Sequence, residues 1–180
     1  MRRKLLKLAA VLALVPGLAL AEGPSRQSAT VTADLAAGPD EVWAYIGDFQ
    51  DLTWHPAVFS QTGAGGNDIG ATRRLVLGEA GGPTIDEVLD GYDAGKMNYS
   101  YRIAEVAVET LPVTNYASRL TVMPRDGGGS TVEWSGAFDR GDPGNDPPAE
   151  LNDAAAVAAV TGIYKAGMGA LVERFGAPGT

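Results

Sequence analysis

A chain of 180 residues with 22 acidic against 14 basic side chains has a net charge of −8, so it has no basic surface to track a phosphate backbone or an anionic membrane, and nucleic acid is excluded as a partner. With no cysteine and a single histidine, it cannot form disulfides, thiolate metal sites or histidine-cluster metal sites. Its acids lack the spacing of a calcium-binding loop, and no cofactor or metal is called for.

The first element is a leader. Arg2, Arg3, Lys4 and Lys7 form a basic cluster that runs into an apolar stretch from Leu5 to Leu20, which reaches Ala19-Leu20-Ala21. This is the basic segment, apolar segment and small-x-small cleavage site of a bacterial Sec-type signal peptide over residues 1–21. The apolar run is interrupted by Pro16 and Gly17, whereas a retained span needs about 20 apolar residues, so no membrane span is expected after cleavage. The mature chain is then periplasmic or secreted. It keeps 10 of the 14 basic residues against 22 acids, a net charge of −12, which would steer a basic periplasmic protein partner toward it. Its length of about 160 residues is enough for one sizeable core and too little for two domains.

Residues 22–27 read as a linker and 28–176 as a single domain. From Ser28, Ala29, Val31, Ala33 and Leu35 alternate with polar residues, the period of a half-buried strand. Gly38-Pro39-Asp40 then opens a short helix carrying Val42, Trp43 and Ile46 on one face. Asp48-Phe49-Gln50-Asp51-Leu52 predicts a second short helical turn. Pro56 favours extended backbone at His55, so a strand is expected from there to about Thr62. Apolar-alternating runs separated by Gly- or Asp-rich turns predict further strands at Ala71–Leu77, Thr84–Leu89, Met97–Ala104, Thr114–Val122 and Ser130–Phe138, an antiparallel meander. After the Gly141–Pro148 loop, Val157, Val160, Tyr164, Met168, Leu171 and Phe175 recur at three- and four-residue steps on one long helix over Pro148–Phe175. Gly162, Gly167 and Gly169 weaken that helix and point to a bend or a close approach to the sheet.

These elements make an α+β domain in which a twisted sheet must bury one face against one helix stripe, leaving room for a cavity between them. Alternation aims Arg73, which shares its phase with Leu75 and Leu77, and Glu87, which lies between Ile85 and Leu89, at that interior. Charges so placed must pair or face a wet cavity. The aromatic residues Trp54, Tyr99, Tyr101, Tyr116, Trp134 and Tyr164, together with His55 and Met168, complete a candidate ligand-binding set.

The order and spacing of several short pieces resemble the polyketide cyclase/dehydrase-like branch of the START/Bet v 1-like (SRPBCC) superfamily. They are Asp40-Glu41-Val42-Trp43, Asp48-Phe49, Trp54-His55-Pro56, Gly70-Ala71-Thr72-Arg73-Arg74-Leu75, Glu87 and Leu89 in the first half. Tyr99-Ser100-Tyr101, Leu111-Pro112-Val113, Asn115-Tyr116, Val132-Glu133-Trp134 and Ile163-Tyr164-Lys165-Ala166-Gly167 continue the match through the rest. The resemblance implies a helix-grip fold, with an antiparallel seven-stranded sheet around a long C-terminal helix, two short helices after the first strand, and a cavity for a hydrophobic ligand. In the hormone-receptor relatives, loops between strands gate that cavity; Gly78–Pro83 and Glu105–Val113 occupy similar places here, with different sequences.

Three functions are compatible with this reading. The first is a binding protein for a small hydrophobic or amphipathic molecule, such as a lipid. The second is a cyclase- or dehydratase-like enzyme with His55 or Glu87 as the acid or base, although His55 has no partner readable in the sequence. The third is an acidic accessory protein of a periplasmic redox system such as methanol oxidation, which the resemblance also implies.

Overall fold

The computed structural model describes residues 23 and 25–179, and the leader expected at 1–21 lies outside them. Seven strands form one antiparallel sheet: β1 (Gln27–Leu35), β2 (Val58–Ala64), β3 (Thr72–Leu77), β4 (Thr84–Asp93), β5 (Asn98–Val106), β6 (Val113–Pro124) and β7 (Ser130–Arg140). Their spatial order is β1-β7-β6-β5-β4-β3-β2, a meander from β2 to β7 whose last strand takes β1 as its outer neighbour. The helix α1 (Pro39–Ile46) follows β1, and α2 (Asp153–Phe175) closes the chain and packs chiefly on β1 and β7. This is the expected helix-grip arrangement.

The second short helix is a correction: Asp48–Pro56 forms consecutive turns instead. Two aspartates explain it, because each carboxylate accepts the backbone N–H two residues ahead. Asp48 takes that of Gln50 (2.9 Å) and Asp51 that of Thr53 (2.9 Å), so these amides cannot serve a helix. Side chains hold two more amides in the segment: Asn67 accepts from Phe49 N–H (2.8 Å) and Gln61 from Leu52 N–H (2.7 Å). His55 sits in the last of these turns, and β2 starts at Val58, later than Pro56 alone implied.

The long helix also starts later than expected. Pro148 leads into one 3₁₀ turn (Ala149–Leu151), after which the Asn152 side chain accepts Ala155 N–H (2.9 Å) and caps α2. Its 23 residues span about 35 Å. By length and composition α2 could cross a membrane, but here Ala156, Val160, Tyr164, Met168 and Leu171 are buried against the sheet. The core between sheet and helices holds Leu35, Ile46, Phe49, Leu89, Leu120, Phe138 and Leu171, with the aromatic residues grouped toward the middle.

Candidate functional site

Between the middle of the sheet and α2 lies a cavity of about 60 Å³. Leu75, Leu77, Ile85, Ile103 and Leu111 wall it from the sheet side, Leu52, His55, Ala57 and Val58 from the turn before β2, and Val160, Ile163 and Tyr164 from the helix. Six of the residues singled out in the sequence line it: His55, Glu87, Tyr101, Tyr116, Trp134 and Tyr164. Trp54, Arg73, Tyr99 and Met168 are equally buried but lie in the packing around it. Tyr99 is held under α1 against Trp43 and Phe49, with ring centroids 6.2 and 6.1 Å away. Trp54 packs on Trp134 at 6.0 Å. The apolar lining from Leu52, Leu75, Leu77, Ile85, Ile103, Leu111, Val160 and Ile163 was not singled out in the sequence as site, because nothing local separates a wall residue from a core residue.

Arg73 and Glu87 face each other across β3 and β4, in register, and both are buried. Arg73 Nε donates to Glu87 Oε2 at 2.6 Å and its Nη1 to the Phe49 carbonyl at 2.8 Å. The guanidinium carbon lies 4.3 Å from the Phe49 ring centroid and 5.1 Å from that of Tyr101. Burial opposes the guanidinium charge, but Glu87, Tyr99 and Tyr101 outweigh it and raise the Arg73 pKa, so it stays protonated. Burial pushes the Glu87 carboxyl above the usual carboxylate range, with Arg73 pulling against that shift. The alternation in β3 and β4 thus led to a paired ion couple, of which only Glu87 reaches the cavity.

The opposite wall is a hydroxyl network centred on Ser118, which the sequence reading missed although it shares the inward phase of Tyr116 and Leu120. Tyr164 OH is 2.6 Å from Tyr116 OH and 2.9 Å from Ser118 Oγ, while Ser118 donates to the Ser135 carbonyl at 2.9 Å. Trp134 Nε1 donates to both Ser118 Oγ (2.9 Å) and Tyr101 OH (3.1 Å). Trp134 and Tyr164 stack with centroids 4.6 Å apart. Burial raises the Tyr101, Tyr116 and Tyr164 phenols above their ordinary value, Tyr164 to about 12, so these hydroxyls act as neutral donors and acceptors. The network needs Gly136: a Cβ there would overlap the Tyr164 hydroxyl.

His55 is committed to structure on both sides of its ring. Nδ1 accepts the Ala57 N–H at 3.1 Å, which leaves the proton on Nε2 to be donated to the Ile163 carbonyl of α2 at 2.9 Å. Burial holds its pKa below 6.5, against a smaller opposite effect of the Ile163 bond. Neutral and with no free lone pair, it is poorly placed to take a proton from a substrate. Among the described residues no cluster of His, Asp and Glu is arranged to hold a metal ion.

The fold recurs in other proteins. The solved structure of XoxI from Bacillus cereus is 32% identical, covers 82% of this chain and 94% of its own, and superposes with a TM-score of 0.68. An uncharacterised protein from Bacillus thuringiensis is 30% identical over 84% of this chain and 98% of its own, with a TM-score of 0.66. A Thermobifida fusca protein is 27% identical over 86% and 97%, with a TM-score of 0.63. No curated protein matches the chain significantly. A family model described as polyketide cyclase / dehydrase and lipid transport matches residues 26–176, from the approach to β1 to the end of α2, and the chain belongs to that family.

Proposed function

We propose that this protein is a binding module that encloses a small apolar or amphipathic molecule between its sheet and α2, and that it works outside the cytoplasm after losing its leader. The observation that carries the reading is the cavity wall: apolar side chains on nearly every side, with Glu87 and a tyrosine hydroxyl network as polar anchors. The family's lipid-transport description supports it. Export rests on the sequence of residues 1–21.

At about 60 Å³ the cavity holds little more than a few waters, whereas pockets for drug-sized ligands measure about 300–1,000 Å³. On this proposal the cavity is contracted in the structure, and binding requires side chains to move. Acid–base catalysis is the weaker alternative, and it falls on Glu87 rather than His55. Native mass spectrometry of the protein purified from its host, with a thermal-shift screen of fatty acids and aromatic acids, tests the reading. A co-purifying apolar compound or a raised melting temperature is expected; no bound compound and no shift across both ligand classes would defeat it.

A further inference from the structure

Among the described residues, the sheet has a gap between β5 and β6. β5 and β6 pair from Asn98↔Thr121 to Arg102↔Ala117, and the ladder stops there, although β5 continues along β4 to Val106 and β6 begins at Val113 on β7. A bulge in β6 is the cause: Asn115 has a φ of 50°, and the β6–β7 register shifts between Thr114 and Ala117. The bulge is braced from the β1–β7 side. Arg26 donates to the carbonyls of Asn115 (2.6 Å) and Ala137 (2.9 Å), and Asn115 Nδ2 donates to Asp139 at 2.7 Å. Between the splayed strands lies an open cleft of about 580 Å³, and Ile103 and Tyr116 line both this cleft and the inner cavity.

We propose that this cleft is the entrance and the outer half of the binding site, so that the ligand is an elongated amphipathic molecule with its apolar end inside and its hydrogen-bonding end between β5 and β6. This rests on the binding reading above. Joined across Tyr116, the two spaces reach the size of ordinary ligand pockets, which the inner one alone does not. Their chemistry also differs: the inner walls are apolar, whereas the cleft presents Asp90, Arg102, Glu105, Asn115 and strand edges with no partner across the gap.

Opening the partition breaks the Tyr116–Tyr164 hydroxyl bond and no ladder bond. The turn at Ala57, another wall of the cavity, is tied by backbone hydrogen bonds. Gly78 N–H bonds the Ala57 carbonyl (3.0 Å), Val58 N–H the His55 carbonyl (3.0 Å), Leu77 N–H the Pro83 carbonyl (2.9 Å), and His55 the Ile163 carbonyl (2.9 Å).

A chain without cysteine allows a single reporter thiol. Val160→Cys places one on the helix wall of the inner cavity, and its labelling rate by methyl methanethiosulfonate reads opening without any ligand. Ala104→Trp, filling the cleft, should slow labelling about tenfold, Tyr116→Phe should speed it about fivefold, and Ala80→Trp, on the exposed turn whose Gly78 bonds Ala57, should leave it unchanged. Slowing by Ala80→Trp instead, or by neither tryptophan, would overturn the entrance. Leu75→Cys on the facing wall repeats the measurement if Val160→Cys folds poorly. Dodecanoate then tests the ligand separately: protection of the thiol supports it. Unprotected labelling that Ala104→Trp still slows defeats the ligand class and leaves the entrance standing.

Discussion

Single side chains in this interior act in pairs, and removing one partner should cost more than removing both. Arg73→Leu leaves the buried Glu87 carboxyl without its partner at 2.6 Å and should destabilise the fold by about 3–5 kcal/mol, whereas Arg73→Leu with Glu87→Leu should recover most of that. Urea unfolding of the two variants checks it; equal losses would mean that the pair is not coupled. His55 gives a pH dependence of known sign. Its native pKa lies below the ordinary 6.5, so the unfolded chain binds the proton more readily, and the contribution is complete above about pH 6.5 and is lost as the pH falls below it. The stability difference between the wild type and His55→Gln should therefore shrink from about pH 7.5 to pH 5; a constant difference would contradict this. Arg73 and Glu87 were legible because strand alternation reports which face a residue takes. Depth on that face was not legible, which is why Tyr99 and Met168 share the phase or stripe of wall residues without reaching the cavity.

Among the elements, α2 shows how a helix is fitted to its sheet. Gly167 lies where it meets His55 and Trp134: an added Cβ would sit 2.7 Å from His55 Cδ2 and 2.9 Å from Trp134 Cζ3, while at Gly162 and Gly169 it would meet open space. Gly167→Ala should thus cost about 1–3 kcal/mol by overpacking, and Gly162→Ala or Gly169→Ala should stabilise by up to about 1 kcal/mol through helix propensity. Thermal melts of the three variants separate these signs, and a neutral Gly167→Ala would mean that the helix can shift outward. The sequence flagged all three glycines alike because propensity says nothing about what stands opposite. It likewise offered a second short helical turn at Asp48–Leu52, where the aspartates captured backbone amides. The strands were easier, since their alternation extends over whole runs and their turns are marked by Gly and Asp.

For the molecule as a whole, the meander and its covering helix were readable because each strand carries its own pattern and α2 carries one long apolar stripe, while the helix-grip arrangement came from the family resemblance. The near-closure of the interior was not, because it depends on how the tyrosine and tryptophan rings interlock across four elements. The pairing of β1 with β7 sets when the chain can fold. Gln27 finds its neighbour in Phe138, and six strands must exist before the first one has a partner. Contacts so distant along the chain make for slow acquisition of structure, on a scale of about milliseconds to seconds after dilution from denaturant. A polypeptide ending at Pro124 should show no dispersed amide spectrum, though it contains six of the seven strands. During synthesis the sheet cannot close until the final third of the chain emerges, and that is the interval in which the export proposed above would have to act.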